Sequence, residues 1–247
     1  MPHKLTLLLC IAAVMLATYV HAADLPSYIT ACKRDPATLS DCATKEARKV
    51  LPVLLNGDKS LKIPRLNPLK LPEVKIEAGN NLKIKLTEVV INGFEDHVID
   101  RVDVDLTKQH IQLKLKFPRL NLQSKYEING QILVLPIRGS GPANITFVAG
   151  EYTYDTDYTI EKRSGVEYLK LGGSKLDYTT QRSYFQLDNL FDGDKTLGEQ
   201  MNKFLDENWR DVEKDLGPAF SNVIVKVAEN IATALFHSVP YDEVVIP

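Results

Sequence analysis

Three histidines lie beyond the first 22 residues, and they are the first side chains to consider for catalytic chemistry: His97, His110 and His237. The segment FEDHVID places acidic residues beside His97, which could in principle build a metal or acid–base site. The spacing is not that of metal ligands, however, and the sequence has no Cys-x-x-Cys motif or Cys/His cluster. The segment around His97 therefore predicts a surface turn, and no metal site is predicted.

A nucleophilic or phosphate-binding site is the next possibility, and the candidate is the segment RGSGP at residues 138–142. This segment lacks the Gly-x-Ser-x-Gly order of a nucleophile elbow. No Lys-Ser or Lys-Thr follows it, as a phosphate-binding loop would require. The acidic residues of VDVDL, at 102–106, alternate toward the solvent face and do not converge. The sequence therefore predicts a protein that is not an enzyme, with no catalytic residue and no cofactor.

The N-terminus has the features of a secretory signal. Lys4 is its basic residue, residues 5–16 form a short apolar core, and residues 20–22 form a small-residue cleavage site. The apolar core is too short to span a membrane, and no later stretch is expected to span one. We therefore expect residues 1–22 to be removed and residues 23–247 to form one secreted, extracellular domain.

Three further features fit an exported protein. Removal of Lys4 shifts the net charge from −2 to about −3, which argues against a nucleic-acid partner. Cys32 and Cys42 remain, and an oxidising compartment favours a disulfide between them worth about 2–3 kcal/mol, with two free thiols as the alternative. The tripeptide NIT makes Asn144 a glycosylation acceptor, and Gly139 and Pro142 nearby predict a loop there.

The first part of the mature chain predicts one helix and then an extended segment. ATKEARKVLPVLLNGD reads as a short helix that ends at Asn56-Gly57. Prolines at positions 64, 68 and 72 exclude a regular helix in the next segment. That segment is therefore expected to be extended and to lie at a sheet edge.

The middle of the chain predicts an antiparallel sheet. Apolar and polar residues alternate at residues 82–86, 102–106 and 111–117, and the pattern continues to residue 187. Asn129-Gly130 stands between two apolar runs and predicts a hairpin turn. Such strands joined by tight turns are typical of a sheet with one face toward solvent.

A predicted helix of unusual length follows the strands. Residues 192–194 predict a turn, and Thr196 followed by Glu199 has the capping-box pattern. The helical pattern continues to Ser238, which gives a length of about 64 Å if the helix is straight. A compact chain of this size would be only about 45 Å across. The molecule must be elongated or the helix must bend, and a kink is expected at Pro218.

The two halves of this helix have different polarity. The first half has one apolar arc of about 140°, as in an ordinary amphipathic helix; it contains Leu197, Met201, Phe204, Leu205, Trp209, Val212 and Leu216. The second half is apolar over about 220°; its apolar residues are Phe220, Val223, Ile224, Val225, Val227, Ala228, Ile231, Ala232, Leu235 and Phe236. A helix that is apolar over most of its circumference is expected to be buried on most sides.

The sheet is the element available to surround this helix, so the predicted fold is α+β, with a curved antiparallel sheet rolled around one long C-terminal helix. A helix inside such a trough need not fill the enclosed volume. An unfilled part would leave an apolar tunnel suited to an elongated apolar ligand. The alternative is a dry core packed by the same side chains, and the protein would then act through its surface as an extracellular signalling or interaction protein.

Two segments resemble a known family: FDGDKTLGEQMNKFLDENW at residues 191–209 and PYDE at residues 240–243. Together with the Cys32/Cys42 pair and the signal, they make the chain similar to the takeout / juvenile-hormone-binding-protein family of secreted insect proteins. The resemblance covers essentially the whole mature chain. The ending EVVIP departs from the more aromatic ending typical of the family, which affects only local packing.

The resemblance implies a strongly curved antiparallel sheet around a long C-terminal helix, related to the tubular lipid-binding folds, with a hydrophobic ligand inside. Family members hold juvenile hormones, fatty-acid-like chains or isoprenoid chains, and takeout-like members are associated with circadian control, feeding and chemosensation. A hormone carrier's polar ligand contact has no definite counterpart here, so a general lipid carrier is the stronger expectation. The expected partner is a lipid, terpenoid or fatty acid, bound by a monomer that does not insert stably into membranes.

The tunnel lining is expected to come from the inner arc of the helix and the inward faces of the strands. On the helix the candidates are Met201, Phe204, Leu205, Phe220, Ile224, Val227 and Ile231. On the sheet they are Ile128, Leu133, Leu135 and Phe147. A tyrosine hydroxyl could meet a ligand's polar end, and the candidates are Tyr126, Tyr152, Tyr154 and Tyr168. For each candidate, plain core packing or a solvent-facing hydroxyl is the alternative.

Overall fold

The computed structural model describes residues 24–78 and 81–247, so the predicted signal lies outside the described residues. The helices are α1 (Leu39–Leu54), α2 (Lys195–Glu207), α3 (Trp209–Phe236) and α4 (Tyr241–Val244). The strands are β1 (Cys32–Lys33), β2 (Leu69–Ala78), β3 (Leu82–Asn92), β4 (Val98–Asp105), β5 (His110–Ile132), β6 (Leu135–Arg163), β7 (Val166–Thr179), β8 (Arg182–Leu187) and β9 (Val245–Ile246).

One antiparallel sheet of seven strands dominates the structure. Its strands follow the order β2-β3-β5-β6-β7, while β4 pairs with β5 and β8 pairs with β6. Strands β5 and β6 have 23 and 29 residues, so they would be about 76 Å and 96 Å long if fully extended. The ladders between β3 and β5, β4 and β5, and β6 and β7 each contain a register shift. Irregularities of this kind bend a strand and increase its twist.

The sheet curves around helix α3. This helix packs against β7, β2 and β8. Strands β2 and β7 are the two ends of the strand path. Because both ends contact the same helix, the sheet must bend around it, and α3 closes the open side of the trough. The predicted α+β roll is therefore confirmed.

A smaller core joins the two ends of the chain around the disulfide. Cys32 and Cys42 are bonded, with their Cα atoms 5.8 Å apart, as predicted. Strands β1 and β9 pair in parallel, with Cys32 opposite Val245. Leu39 and Tyr241 pack into the same cluster. The disulfide therefore fixes α1 to the C-terminal segment.

The predicted helix of residues 196–238 is in fact two helices, α2 and α3. The interruption is at Asn208 (φ −108°, ψ 26°), whose side-chain amide donates to the carbonyl oxygen of Phe204 at 2.8 Å. Such short polar side chains compete with the helical hydrogen-bond pattern. Pro218, where a kink was expected, lies inside α3 without interrupting it. The N-cap is Asp194 rather than Thr196, because the Asp194 carboxylate accepts from the Leu197 N–H at 3.0 Å.

The predicted hairpin turn at Asn129-Gly130 is also displaced. Both residues lie inside β5, and the turn falls at residues 133–134. Gly130 has φ +141°, and a Cβ at this position would lie 2.4 Å from the carbonyl oxygen of Asn81. Position 130 therefore requires glycine, because the backbone at Asn81, just before β3, passes close to it. The local sequence does not reveal this contact.

Replacement of Gly130 by alanine is expected to lower the free energy of unfolding by about 2 kcal/mol or more, because strain and a backbone clash add. Gly165→Ala is the matched control: Gly165 has φ +89°, but nothing lies within 4 Å of its Cβ position. The control substitution should lower the free energy of unfolding by about 1 kcal/mol. Urea denaturation of both variants measures the difference, and equal losses would contradict the role of the close approach.

Two further expectations need correction. Asn144 does not lie in a loop: it sits within β6, exposed, opposite Gln123 of β5 and Gln186 of β8. Helix α3 is long and apolar enough to cross a membrane by length and composition alone, although no such stretch was expected after the signal. In the structure this helix packs against three strands of the sheet.

Candidate functional site

The inner face of α3 changes from tightly packed to loosely packed along its length. In the N-terminal half, Trp209, Val212 and Leu216 are at most 5% exposed. In the C-terminal half, Ser221 and Val225 are buried, but the apolar residues that contact the main core remain half-buried; they are Phe220, Val223, Val227, Ile231 and Leu235. The expected burial of this half on most sides is therefore wrong. Side chains that contact a core yet keep accessible surface are those expected beside an incompletely filled space.

The structure brings most of the predicted lining residues together. Met201, Leu205 and Ile128 are buried members of the main core. Half-buried residues that pack against that core are Phe204, Phe220, Val227, Ile231, Leu133, Leu135 and Phe147. Leu133 lies at the turn between β5 and β6. Ile224 is 36% exposed and is not among the residues that pack against this cluster, although it lies within one turn of Phe220 and Val227 along α3.

Aromatic side chains form a continuous chain of contacts from the β3–β4 connection to β7. Tyr152 and Tyr178 stack with ring centroids 5.7 Å apart and planes 15° apart. Phe117 meets Tyr152 edge-on at 5.4 Å, and Phe147 meets Tyr178 edge-on at 6.3 Å. Phe94 extends the chain beyond Phe117 at 5.5 Å. This group gives the roll an aromatic interior section with two phenol hydroxyls.

The hydroxyls of Tyr152 and Tyr178 have no hydrogen-bond partner among the described residues. Burial raises the pKa of both groups well above the ordinary tyrosine value, and the Glu213 carboxylate raises both further. Both phenols are therefore neutral at physiological pH and can donate. Each hydroxyl is therefore available to donate to a ligand oxygen, and such a hydrogen bond would contribute about 1 kcal/mol.

The other tyrosine candidates already have partners. Tyr126 Oη donates to the carbonyl oxygen of Asp188 at 2.7 Å. Tyr154 Oη donates to Ser174 Oγ at 2.9 Å. The guanidinium of Arg163 lies over the ring of Tyr168, 3.7 Å from the ring centroid. Among the described residues, the Tyr152 and Tyr168 hydroxyls have no hydrogen-bond partner, and of these two Tyr152 belongs to the aromatic section.

Glu213 lies beside the stacked tyrosines and is held in place by two hydroxyls. Thr180 Oγ1 lies 2.9 and 3.0 Å from its two carboxylate oxygens, and Ser183 Oγ also donates to it. Ser183 is 0% exposed. One turn along α3 from Glu213, a Cβ at Gly217 would lie 3.2 Å from Tyr178 Oη, so the glycine lets the phenol approach the helix.

A groove of about 510 Å³ runs beside this group, between the end of β7 and the middle of α3. Its lining includes Tyr178, Thr180, Glu213, Gly217 and Ser221. The exposed Lys214 and Pro218 also line it. The groove thus runs from the surface to the polar group around Glu213.

Tyr178 and Glu213 were not among the residues predicted for the site. Tyr178 belongs to the alternating strand β7, as many solvent-facing tyrosines do. Glu213 carried a stronger signal, since it lies one turn after the buried Trp209, at the edge of the apolar arc. An acidic residue that is half-buried beside such an arc needs polar partners there.

The three histidines have local partners. His97 Nδ1 lies 2.9 Å from the Phe94 carbonyl oxygen, and His237 Nε2 lies 2.8 Å from an Arg163 guanidinium nitrogen. His110 lies between two carboxylates, those of Asp155 and Asp157. Within residues 24–78 and 81–247, no group of three or more His, Cys, Asp or Glu residues is placed to hold a metal ion.

A curved antiparallel sheet closed by one long apolar helix, with a loosely packed inner face and few interior polar groups, defines the class of tubular α+β rolls. The family described as "Haemolymph juvenile hormone binding protein (JHBP)" matches residues 5–246, and the chain belongs to this family. The crystal structure of Takeout 1 from Epiphyas postvittana has the same fold, with a TM-score of 0.77 and 24% identity, covering 89% of this chain and 100% of that chain.

Three insect proteins are similar to this chain over most of their length. The "Circadian clock-controlled protein daywake" of Drosophila yakuba is 28% identical over 231 residues, covering 88% of this chain and 87% of that protein. The protein of the same description from Drosophila melanogaster is 26% identical over 229 residues, with the same coverage. A "Putative beta-carotene-binding protein" of Schistocerca gregaria is 25% identical over 198 residues, 79% of each chain. The expected takeout / juvenile-hormone-binding family is confirmed.

Proposed function

We propose that this protein is a secreted carrier that binds an elongated hydrophobic molecule between α3 and the curved sheet. The observation that carries the proposal is the half-buried inner face of the C-terminal half of α3, at Phe220, Val227 and Ile231 in particular. These side chains belong to the interior but keep accessible surface. A ligand chain lying along them would complete their packing.

Apolar burial provides the affinity. Each buried methylene contributes about 0.8 kcal/mol before the cost of ordering the ligand. A chain that buries a few hundred Å² of carbon surface would therefore reach a dissociation constant in the micromolar range or tighter. The protein would solubilise and deliver the molecule without changing it, so we propose no catalytic step.

The ligand class follows from the chemistry of the interior and from what the relatives are said to bind. The family description names juvenile hormone, and the Schistocerca relative is described as binding beta-carotene. Both are long apolar molecules, so a lipid, a terpenoid or a fatty-acid-like chain is the proposed ligand. The two daywake relatives are described as clock-controlled, and a role in circadian, feeding or chemosensory physiology is part of the proposal.

The extracellular setting is also proposed. The disulfide between Cys32 and Cys42 fits an oxidising compartment. Asn144 is exposed on β6, where a glycan would project into solvent and add solubility. A monomer in extracellular fluid, without nucleic-acid partner or stable membrane insertion, is the proposed state. Treatment with a glycosidase should lower the mass of the secreted protein, and an Asn144→Gln variant should show no such shift.

Displacement of a neutral, apolar fluorescent probe tests the carrier function. The recombinant mature protein should enhance the probe's fluorescence saturably, and long-chain alcohols, terpenoids or isoprenoid quinones should displace it at micromolar concentrations. Native mass spectrometry of protein from its source should show a bound molecule of matching mass. A core that neither carries nor accepts any apolar molecule would contradict the proposal and support the alternative, a signalling protein with a dry core.

A further inference from the structure

The interior of the roll has little capacity to neutralise an anion. Among the described residues, the buried side chains that are polar or charged are Thr44, Thr146, Asp155, Thr156, Ser183 and Ser221. That set contains no lysine and no arginine. An ionised carboxylate brought into this space would lose its hydration without gaining a buried cation, which is costly.

Glu213, a half-buried residue of α3, places a negative charge in the lining of the groove. The hydroxyls of Thr180 and Ser183 make three hydrogen-bond contacts with its carboxylate oxygens. The carboxylate comes from α3, and it raises the pKa of both Tyr152 and Tyr178. Its charge therefore acts on the section of the interior where the two free phenols lie.

The nearby cations are on the solvent side of the groove. Lys175 is exposed and lies 3.7 Å from Asp155 and 3.5 Å from Asp177, so other acids already neutralise it. Arg210 is exposed and lies over the ring of Trp209, 4.3 Å from its centroid. Lys214 is exposed on α3. These three side chains line the groove from its exposed side, and the half-buried Arg182 is held by Asp206, to whose carbonyl oxygen it donates at 2.7 Å.

We propose, building on the carrier function above, that Glu213 is a specificity-determining residue that selects uncharged, hydroxyl-bearing chains and disfavours carboxylates of the same length. An alcohol can donate its O–H to the Glu213 carboxylate while its oxygen accepts from the Tyr152 or Tyr178 hydroxyl. A fatty-acid anion at the same place would bring two negative charges within a few Å of each other in a region of low dielectric. The ligand class is therefore a long-chain or terpenoid alcohol rather than a free fatty acid.

A matched series of one chain length tests the proposal: 1-hexadecanol, methyl palmitate and palmitate, each competing with the same neutral fluorescent probe at pH 7.5. For the unmodified protein, the alcohol is expected to bind at least about tenfold more tightly than palmitate, because like charges a few Å apart repel strongly at protein dielectric values. The ester, which is neutral but cannot donate, should fall between them.

Glu213→Gln keeps the shape of the side chain and removes its charge. In this variant the dissociation constants of palmitate and 1-hexadecanol are expected to differ by no more than about threefold, because the repulsion between the two carboxylates is gone. Asp211→Asn is the matched control, since it makes the same change of charge at an exposed position on the same helix. The control should keep the ratio of the unmodified protein.

The outcomes distinguish this inference from the carrier function. Equal competition by palmitate and alcohol with the unmodified protein would overturn the role of Glu213 and leave the carrier function intact, and this comparison needs no variant. An unchanged ratio in a folded Glu213→Gln protein would overturn it as well. If no member of the series displaces the probe, the inference is overturned; the carrier function is overturned as well only if terpenoids and isoprenoid quinones also fail to displace it and native mass spectrometry shows no bound molecule.

Discussion

Replacement of Leu205 by alanine is expected to lower the free energy of unfolding by about 3 kcal/mol. Leu205 is 1% exposed and belongs to the main core, where α2 packs on β8. Loss of a buried leucine side chain removes its transfer free energy and leaves a cavity that the surroundings fill only in part. Chemical denaturation monitored by circular dichroism measures the change.

The matched control is Leu197→Ala on the same helix. Leu197 is 47% exposed, so the same chemical change there should alter the stability by no more than about 0.5 kcal/mol. A loss of similar size at both positions would show that the effect arises from helix propensity or the unfolded state. It would contradict the assignment of α2 to the core.

Replacement of Val227 by tryptophan is expected to weaken ligand binding by about a hundredfold. Val227 is half-buried on the inner face of α3 and contacts the main core. The larger side chain would occupy the space of about three or four ligand methylenes, each worth about 0.8 kcal/mol when buried. The displacement assay with the neutral probe measures the loss.

The free energy of unfolding of the Val227→Trp variant distinguishes an interior with open space from one that is filled by side chains. Tryptophan added to a filled core should destabilise the protein by about 1–3 kcal/mol, whereas tryptophan added to an open space should cost little. Thr233→Trp is the control, because Thr233 is exposed and lies about 120° around α3 from Val227, so the change there should leave binding unchanged. Destabilisation by Val227→Trp with no loss of affinity would contradict the proposed binding space.

The sequence predicted the architecture because its strongest signals are local. Alternation over residues 82–187 marks the strands, and the wide apolar arc of the second half of the helix calls for a surrounding sheet. The disulfide followed from the pair of cysteines behind a signal. The burial of that second half was predicted incorrectly, because an apolar pattern is the same whether protein or ligand covers it.

The details that were predicted incorrectly depend on contacts between distant segments. Gly130 looks like a turn residue, but it is a glycine because the backbone at Asn81 passes close to it. The helix was predicted to be continuous over residues 196–238, but it is interrupted at Asn208, whose side chain hydrogen-bonds to Phe204; the helical assignment continues through Pro218. Local propensity ranks the proline as the stronger breaker, and the tertiary structure reverses that order.

The candidate polar group could be predicted only in part, for the same reason. Tyr152 was one of four tyrosine candidates, and the sequence could not show that the other three have partners or aromatic-face contacts in the fold. Tyr178 and Glu213 come from β7 and α3, which meet only when the sheet closes on the helix. Such a group becomes visible only when the distances between elements are known.

The most direct test of the account is a crystal structure of the mature protein grown with a terminally brominated long-chain alcohol, with anomalous scattering used to locate the bromine. A peak enclosed by the sheet, beside the half-buried side chains of α3 near Val227 and Ile231, with continuous density for the chain toward Tyr152, is the predicted result. An interior filled entirely by protein side chains, with bromine only on the outer surface or absent, would contradict it.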